Sequence, residues 1–97
     1  MIFRFLEPAE AEFLEGIAHY ASIRADLGIR FQEAVAAAVG HAVEHPEHGA
    51  PRSKNTRRRL VKGFPFGVIY RAGATEVVIV AVAHQRKRAE YWAKRIG

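Results

Sequence analysis

"TEVVIVAVA" (residues 75–83) contains the longest wholly apolar run of the chain, at 77–83. Apolar residues occupy both alternating faces of this segment, which predicts a central strand that is buried on each side. Such a strand needs neighbouring strands in its own sheet and a covering layer above and below. The rest of the sequence therefore has to supply these neighbours and both layers.

Three other segments have the pattern of strands. "RRRLVK" (57–62) and "FGVIYR" (66–71) precede the apolar run, and "AGA" (72–74) is short enough to be a hairpin turn. At the start of the chain, "IFRFL" (2–6) predicts a short strand that enters the core. Residues 46–56, "PEHGAPRSKNT", are predicted to form a loop.

Two amphipathic helices are predicted between the first strand and this loop. Apolar residues recur at spacings of three and four from Ala9 onward and again from Phe31. Pro8 suits the first turn of the first helix, and Gly28 is expected to end it. The second helix is expected to end before Pro46, and the short connection predicts an antiparallel helical hairpin.

The order of elements predicts the fold class. The C-terminal segment "KRAEYWAKRI" (87–96) has the pattern of a short helix with cations in its last turn. The order β-α-α-β-β-β-α predicts an α+β fold, in which the helical hairpin packs on a mostly antiparallel four-stranded sheet. Gly16 and Gly40 lie inside the predicted helices, and close contact between the two helices would explain both. The second face of the sheet has to be covered by the C-terminal helix, by a partner, or by both.

The composition excludes several classes of protein. The 97 residues are expected to form a single domain, 1–97. The absence of cysteine excludes disulfides and thiolate chemistry and fits a reducing, cytoplasmic environment. No apolar run is long enough to span a membrane, and the N-terminus lacks the pattern of a signal peptide, so we expect no membrane partner.

The charge differs strongly between the two halves of the chain. Residues 1–48 carry three Arg or Lys against eight acids, a net charge of −5. Residues 49–97 carry twelve Arg or Lys against two acids, a net charge of +10. This asymmetry indicates that the second half binds an anionic partner, either a nucleic acid or an acidic protein segment.

The segment "HAVEH" (41–45) fits the pattern H-x-x-E-H, in which two histidines one helical turn apart bind zinc and the glutamate acts as base. A catalytic zinc needs a third protein ligand, and the downstream acids offer no obvious one. Pro46 also ends the helix directly after the second histidine. The short pattern arises easily by chance, so we expect neither a metal nor another cofactor.

Two basic segments are candidates for the functional surface. On an alternating strand, Arg57 and Arg59 face one way while Arg58 and Lys62 face the other. These arginines either protect a sheet edge from pairing or bind phosphate groups. The second segment, "VAHQRKRAEYWAKR" (82–95), surrounds Tyr91 with cations and one acid.

Taken in order, these features resemble the RelE/ParE superfamily of toxins from type II toxin–antitoxin systems. The resemblance covers nearly the whole chain: the first strand, the helical hairpin with "LGIRFQEAV", "RRRLVKGFPFGVIYR", the valine-rich strand, and "HQRKRAEYW" (84–92) near the end. No single segment is specific, but their order and spacing together are. The fold that the resemblance implies agrees with the fold predicted from periodicity.

The superfamily combines two mechanisms with one fold, and only the site can distinguish them. RelE-like members cut messenger RNA on the ribosome. Arg86 and Tyr91 match positions where these nucleases carry a functional arginine and tyrosine. Cleaving relatives also place an arginine where this chain has Gly67, and Arg71 lies roughly 13 Å further along the strand, too far to replace it. For a nuclease, the resemblance implies a catalytic set of Arg58, Lys62, Arg86 and Tyr91.

ParE-like members inhibit DNA gyrase and are not nucleases, and the departure at Gly67 favours this class. The resemblance then implies a growth-arresting toxin, associated with plasmid stabilisation, that binds an acidic antitoxin in a hetero-oligomeric complex. The alternatives are a RelE-like nuclease acting on ribosome-bound mRNA and an inactive toxin fold that binds nucleic acid. Tyr91 and Trp92 have a simpler interpretation as core residues that cover the open sheet face. The residues expected to contact the target are Arg57, Arg59, Arg71, Arg88 and Trp92.

Overall fold

The sheet has five strands, and the apolar segment lies inside it. The structure, a computed structural model that describes residues 2–97, has the strand order β1-β5-β4-β3-β2. The strands are β1 (Ile2–Phe5), β2 (Ala50–Arg52), β3 (Thr56–Leu60), β4 (Phe66–Ala72) and β5 (Glu76–His84). β1 pairs with β5 in parallel, and all other neighbours are antiparallel. The α+β class and the mostly antiparallel sheet are therefore confirmed.

β5 is buried on both faces, as its sequence predicts. Val77, Ile79 and Val82 belong to the core beneath the helices, and Val80 and Ala81 belong to a second core on the opposite face. Val80 and Ala81 point the same way because β5 contains a bulge: Ile69 of β4 lies opposite Ala81, while Tyr70 lies opposite Ile79. The extra residue lets β5 present two adjacent side chains to the second core.

The helical hairpin covers the first face of the sheet. Helix α1 (Glu7–Ile23) and helix α2 (Ala25–Glu44) are separated by Arg24 alone. Phe31 of α2 is fully buried and contacts the rings of Tyr20, Phe64 and Phe66. This aromatic cluster joins both helices to the β3–β4 connection.

The predicted helix boundary at Gly28 is wrong. The break occurs at Arg24, whose backbone is extended (φ −162°, ψ 133°), and Gly28 lies in the second turn of α2. A Cβ atom at Gly28 would lie 2.8 Å from the Cβ of Ala21, so this glycine permits close contact between the helices. The same explanation holds for Gly16 but is wrong for Gly40, whose surroundings are open.

The strand count differs from the predicted four because β2 lies in the segment predicted to be a loop. A 3-10 turn (Pro46–His48), the short strand β2, and a turn with left-handed Lys54 and Asn55 occupy this region. β2 is an edge strand of three residues that includes Pro51, which an edge position tolerates. So short a strand leaves no alternating pattern in the sequence.

The C-terminal segment covers the second face of the sheet, but the predicted α-helix is wrong. Residues 85–97 form successive turns and a 3-10 helix, Ala93–Arg95. Glu90 has a positive φ of 60°, which interrupts helical geometry. Trp92 is 3% exposed and packs against Ile69 and Val80. Contacts with the sheet, rather than helical hydrogen bonds, thus determine the path of this segment.

Some residues predicted to be internal lie at the surface. β1 was expected to enter the core, but it is an edge strand on which Ile2 and Phe3 are 68% and 50% exposed. Only its last residue, Phe5, packs against the core beneath the helices. Within residues 2–97, no helix is long and apolar enough to cross a membrane.

Gly16→Ala should destabilise the fold, while Gly40→Ala should stabilise it. A Cβ at Gly16 would lie 2.5 Å from the buried ring of Phe31, and this overpacking should cost about 1–3 kcal/mol. At Gly40 no atom lies within 4 Å, so the alanine should gain up to about 1 kcal/mol from helix propensity. Urea denaturation of both variants measures this difference, and equal shifts would contradict the role of Gly16 in helix packing.

Candidate functional site

A basic groove lies between the sheet and the C-terminal segment on the face opposite the helices. Its volume is about 810 Å³. Leu60, Phe66, Ile69 and Trp92 contribute apolar surface to it. Among the described residues, the groove is lined by one acid, Glu90, and by five cations: Arg52, Arg58, Lys62, Lys87 and Arg88. The groove therefore combines an apolar floor with a strongly positive rim, which suits an acidic amphipathic ligand.

Arg58 lines this groove. It lies opposite Ile69 on β4, which places it on the groove side of the sheet, as its alternation predicts. Its Nε atom is buried and has no hydrogen-bond partner within residues 2–97. A buried, unpaired guanidinium nitrogen is costly and favours an anionic ligand at this position.

Gly67 is the reason that Arg58 fits there. A Cβ at Gly67 would lie 2.9 Å from both Cγ and Cδ of Arg58. The stem of Arg58 thus fills the space that a side chain at position 67 would need. At this position, nucleases of the resembled family carry an arginine. The glycine of this chain leaves the space that the Arg58 side chain occupies in the groove.

The structure brings together Arg58, Lys62, Arg88 and Tyr91 at the groove but does not place Arg86 among its lining residues. Arg86 is exposed, and its backbone N–H donates to Nδ1 of His84 over 3.0 Å. Lys62 lies just beyond the end of β3 and faces the same side as Arg58. Catalysis by these residues stays a prediction.

Tyr91 is fixed by an internal contact that the sequence does not reveal. Its hydroxyl donates to Oε2 of Glu12 over 2.5 Å. Arg95 donates from both terminal nitrogens to the same carboxylate, each over 2.9 Å, and the backbone N–H of Val82 donates over 3.0 Å. We call Glu12, Tyr91 and Arg95, with the backbone of Val82, the Glu12 anchor.

Two groups of the Glu12 anchor have shifted pKa values, the Glu12 carboxyl and the Tyr91 hydroxyl. Burial alone would raise the pKa of Glu12, but hydrogen bonds from Arg95, Tyr91 and Val82 outweigh burial and lower it. Burial is the main cause that raises the pKa of the Tyr91 hydroxyl, followed by its bond to Glu12. The Tyr91 hydroxyl therefore directs its proton toward Glu12 within the protein.

The remaining predicted contact residues are scattered. Arg57 and Arg59 lie on the helix side of the sheet, opposite Tyr70 and Val68. Arg57 donates to the carbonyl of Gly49 over 2.8 Å. Arg59 lies near His41, where its charge adds to desolvation, the larger cause, in lowering the pKa of that imidazole.

Arg71 and Trp92 have structural contacts. Arg71 donates to the carbonyls of Lys54 (2.9 Å) and Gly97 (3.3 Å), which ties the β2–β3 turn to the end of the chain. Trp92 is buried, in agreement with its simpler interpretation as a core residue. Of the five residues expected to contact the target, Arg88 alone is both exposed and among those that line the groove.

Glu12 and Arg95 are the important residues that sequence reasoning missed. Neither residue is among the site residues predicted from the sequence. The spacing of Glu12, three from Ala9 and four to Gly16, both buried, places it on the inner face of α1. An acid on the apolar face of a helix was the available signal that it has an internal partner.

Comparisons with known proteins agree with this architecture. The sequence model of the family described as the ParE toxin of the type II toxin–antitoxin system parDE matches residues 3–89. A solved chain from the "Chromosomal ParDE TA system from P. aeruginosa" is similar in structure, with a TM-score of 0.75 and 15% identity. The match covers 87% of this chain and 95% of that chain, and at this identity it shows the fold alone. No curated protein sequence matches the chain significantly.

Glu12→Gln should destabilise the protein at neutral pH by about 2–3 kcal/mol, because a largely buried carboxylate with three donors is lost. The folded pKa of Glu12 is below its ordinary value of 4.5, so its stabilisation is complete above that pH and disappears as the pH falls through the folded pKa. The difference between wild type and variant should therefore shrink in acid.

Urea denaturation at neutral and acidic pH measures this difference. Glu76→Gln is the matched control, because the Arg4–Glu76 ion pair lies at the surface and should change stability by less than about 1 kcal/mol. A difference between wild type and Glu12→Gln that stays constant with pH would contradict an ionised Glu12 in the anchor.

Proposed function

The chain belongs to the ParE toxin family of type II toxin–antitoxin systems, and we propose that it arrests growth by inhibiting DNA gyrase and is neutralised by an acidic antitoxin. The observation that supports this choice is the Glu12 anchor. It holds the one tyrosine of the implied nuclease set in a contact with the protein itself. A toxin that acts by binding needs no free proton donor or acceptor at this position.

The groove is proposed to bind a partner and not to catalyse RNA cleavage. RNA cleavage through the 2′-hydroxyl needs a group that removes a proton and a group that protonates the leaving oxygen. The groove offers arginines and lysines for anion binding, but its tyrosine is protonated and engaged, and Gly67 lacks the arginine of cleaving relatives. Losing one phosphate-stabilising donor costs on the order of 10²–10³ in rate. The proposed function is therefore binding, without catalysis.

The antitoxin is proposed to occupy this groove with an acidic, partly disordered segment. Five cations would pair with its carboxylates, while Leu60, which is 67% exposed, and the apolar floor would accept apolar side chains. The unpaired Nε of Arg58 would gain an acceptor. A segment that folds on binding loses entropy, but it wraps a long groove and covers the exposed apolar surface.

Induction of the chain without antitoxin in a bacterial host should stop DNA synthesis before protein synthesis. Pulse labelling with thymidine and with amino acids, followed separately after induction, measures the order. The purified chain should also inhibit supercoiling by gyrase in vitro. Tyr91→Phe is the informative variant, because it removes the hydroxyl and keeps the ring; it should still arrest growth when its melting curve shows a folded protein.

An early collapse of amino-acid incorporation, with ribosome-bound mRNA cut and Tyr91→Phe inactive, would instead establish the RelE-like mechanism. If neither synthesis falls, the chain is an inactive toxin fold. Either result would overturn the proposed inhibition of gyrase.

Charge reversal in the groove should weaken antitoxin binding. Lys62→Glu and Arg88→Glu each place a carboxylate against an acidic ligand and should raise the Kd by about 10-fold or more at low salt. Lys94→Glu changes the net charge equally at an exposed position outside the groove lining, so it should have a much smaller effect. Titration calorimetry with the cognate antitoxin measures all three, and equal weakening would show that only net charge matters.

A further inference from the structure

A cluster of histidines lies at the end of α2, on the opposite side of the sheet from the basic groove. We propose that His41, His45 and His48, together with Glu47, form a binding site for a divalent transition-metal ion such as Zn²⁺. This site is independent of growth arrest and of the groove. It uses the two histidines of the "HAVEH" segment and adds ligands from the 3-10 turn that follows.

The backbone brings these side chains together. His41 and His45 are one helical turn apart at the end of α2, and His48 follows in the 3-10 turn with its ring 4.6 Å from that of His45. The turn itself is closed by the His48 N–H, which donates to the carbonyl of His45 over 3.0 Å. Pro46 ends the helix and thereby redirects the chain so that Glu47 and His48 face α2.

The distances fit a shared ion. The ring centroids are separated by 5.3 Å (His41–His45), 6.1 Å (His41–His48) and 4.6 Å (His45–His48). The rings of His45 and His48 are stacked at an interplanar angle of 6°, so one of them has to rotate before both can direct a nitrogen at one ion. Imidazoles bound to one tetrahedral zinc at Zn–N distances of ~2.0–2.1 Å have ring centres roughly 5 Å apart. Potential ligand atoms of His45, Glu47 and His48 also lie within 4.8 Å of one another. Modest rotations of exposed side chains would complete the site.

The donor set determines the class of metal. Three imidazoles and one carboxylate suit Zn²⁺, Co²⁺, Ni²⁺ and Cu²⁺ and do not suit Mg²⁺ or Ca²⁺, which prefer oxygen ligands. Four protein ligands would close the coordination sphere, as in structural zinc sites. The site is therefore proposed to hold the metal rather than to activate water.

The position of the site gives the metal a mechanical role. The 3-10 turn connects α2 to the edge strand β2. The buried hydroxyl of Tyr70 also contacts this region: it donates to the Pro46 carbonyl over 2.7 Å and accepts from the Gly49 N–H over 3.1 Å. An ion bound by α2 and by the turn would fix this connection and stabilise the folded state against unfolding.

Titration of the untagged full chain with Zn²⁺ by calorimetry tests the proposal, together with Co²⁺ absorption spectra and melting temperatures. We expect a single site, an intense tetrahedral Co²⁺ spectrum, and a melting temperature that rises with metal concentration. Each of the variants H41A, H45A and H48A should weaken binding by about 10-fold or more. Each should melt like wild type without metal, because these side chains lie at the surface.

H19A is the matched control, because His19 is an exposed histidine on α1 outside the cluster. It should bind like wild type. Binding that persists in H45A and H48A, or that weakens equally in H19A, would overturn the proposal and indicate nonspecific surface coordination. A Co²⁺ spectrum of octahedral type would likewise overturn the closed four-ligand site. None of these readouts depends on toxicity, so their outcome is separate from that of the proposed function.

Discussion

The hydrogen bonds of the Glu12 carboxylate hold together the two layers that cover the sheet, the helices on one face and the C-terminal segment on the other. β1 stops pairing with β5 at Ile79, which leaves the backbone of Val80 and Val82 without a neighbouring strand on that side. The Glu12 carboxylate accepts from Val82, and Arg95 donates to the Val80 carbonyl over 3.0 Å. Two side chains thus complete the hydrogen bonding that a longer β1 would have supplied. They connect α1 on one face with the C-terminal segment on the other.

This arrangement is stable only because every partner is present. Removing the charges of Glu12 and Arg95 from water costs several kcal/mol for each ion, and their attraction offsets this only with good geometry and further hydrogen bonds. The bidentate contact, the Tyr91 hydroxyl and the backbone N–H supply those bonds. The same contacts engage the Tyr91 hydroxyl within the protein. Completion of the fold and the proposed binding function therefore rest on the same contacts.

Sequence patterns predicted the elements whose side-chain periodicity reflects burial. β4, β5 and both helices follow this rule, and so does the central position of β5. The failures share a physical cause: local signals were overruled by contacts distant in sequence. Gly28 resembles a helix stop, but its missing side chain serves contact with Ala21. The C-terminal segment has helical composition, yet the burial of Trp92 and the bonds of Arg95 determine its path. β2 was missed because three residues show no period.

The sequence predicted that the candidate site would be basic, but it did not predict how the residues of the site are arranged. The second half of the chain is basic throughout, but several of its arginines have partners within the protein: Arg57 and Arg71 bind backbone carbonyls, and Arg95 binds Glu12. Their charge stabilises the fold and is poorly available to a ligand. Among the groove cations, Arg52 also donates to a backbone carbonyl, that of Pro51, over 3.1 Å, whereas Arg58 keeps a buried nitrogen without an acceptor within residues 2–97. What distinguishes a binding cation from a structural one is therefore its unsatisfied hydrogen-bonding capacity, which depends on tertiary contacts and cannot be read from charge along the chain.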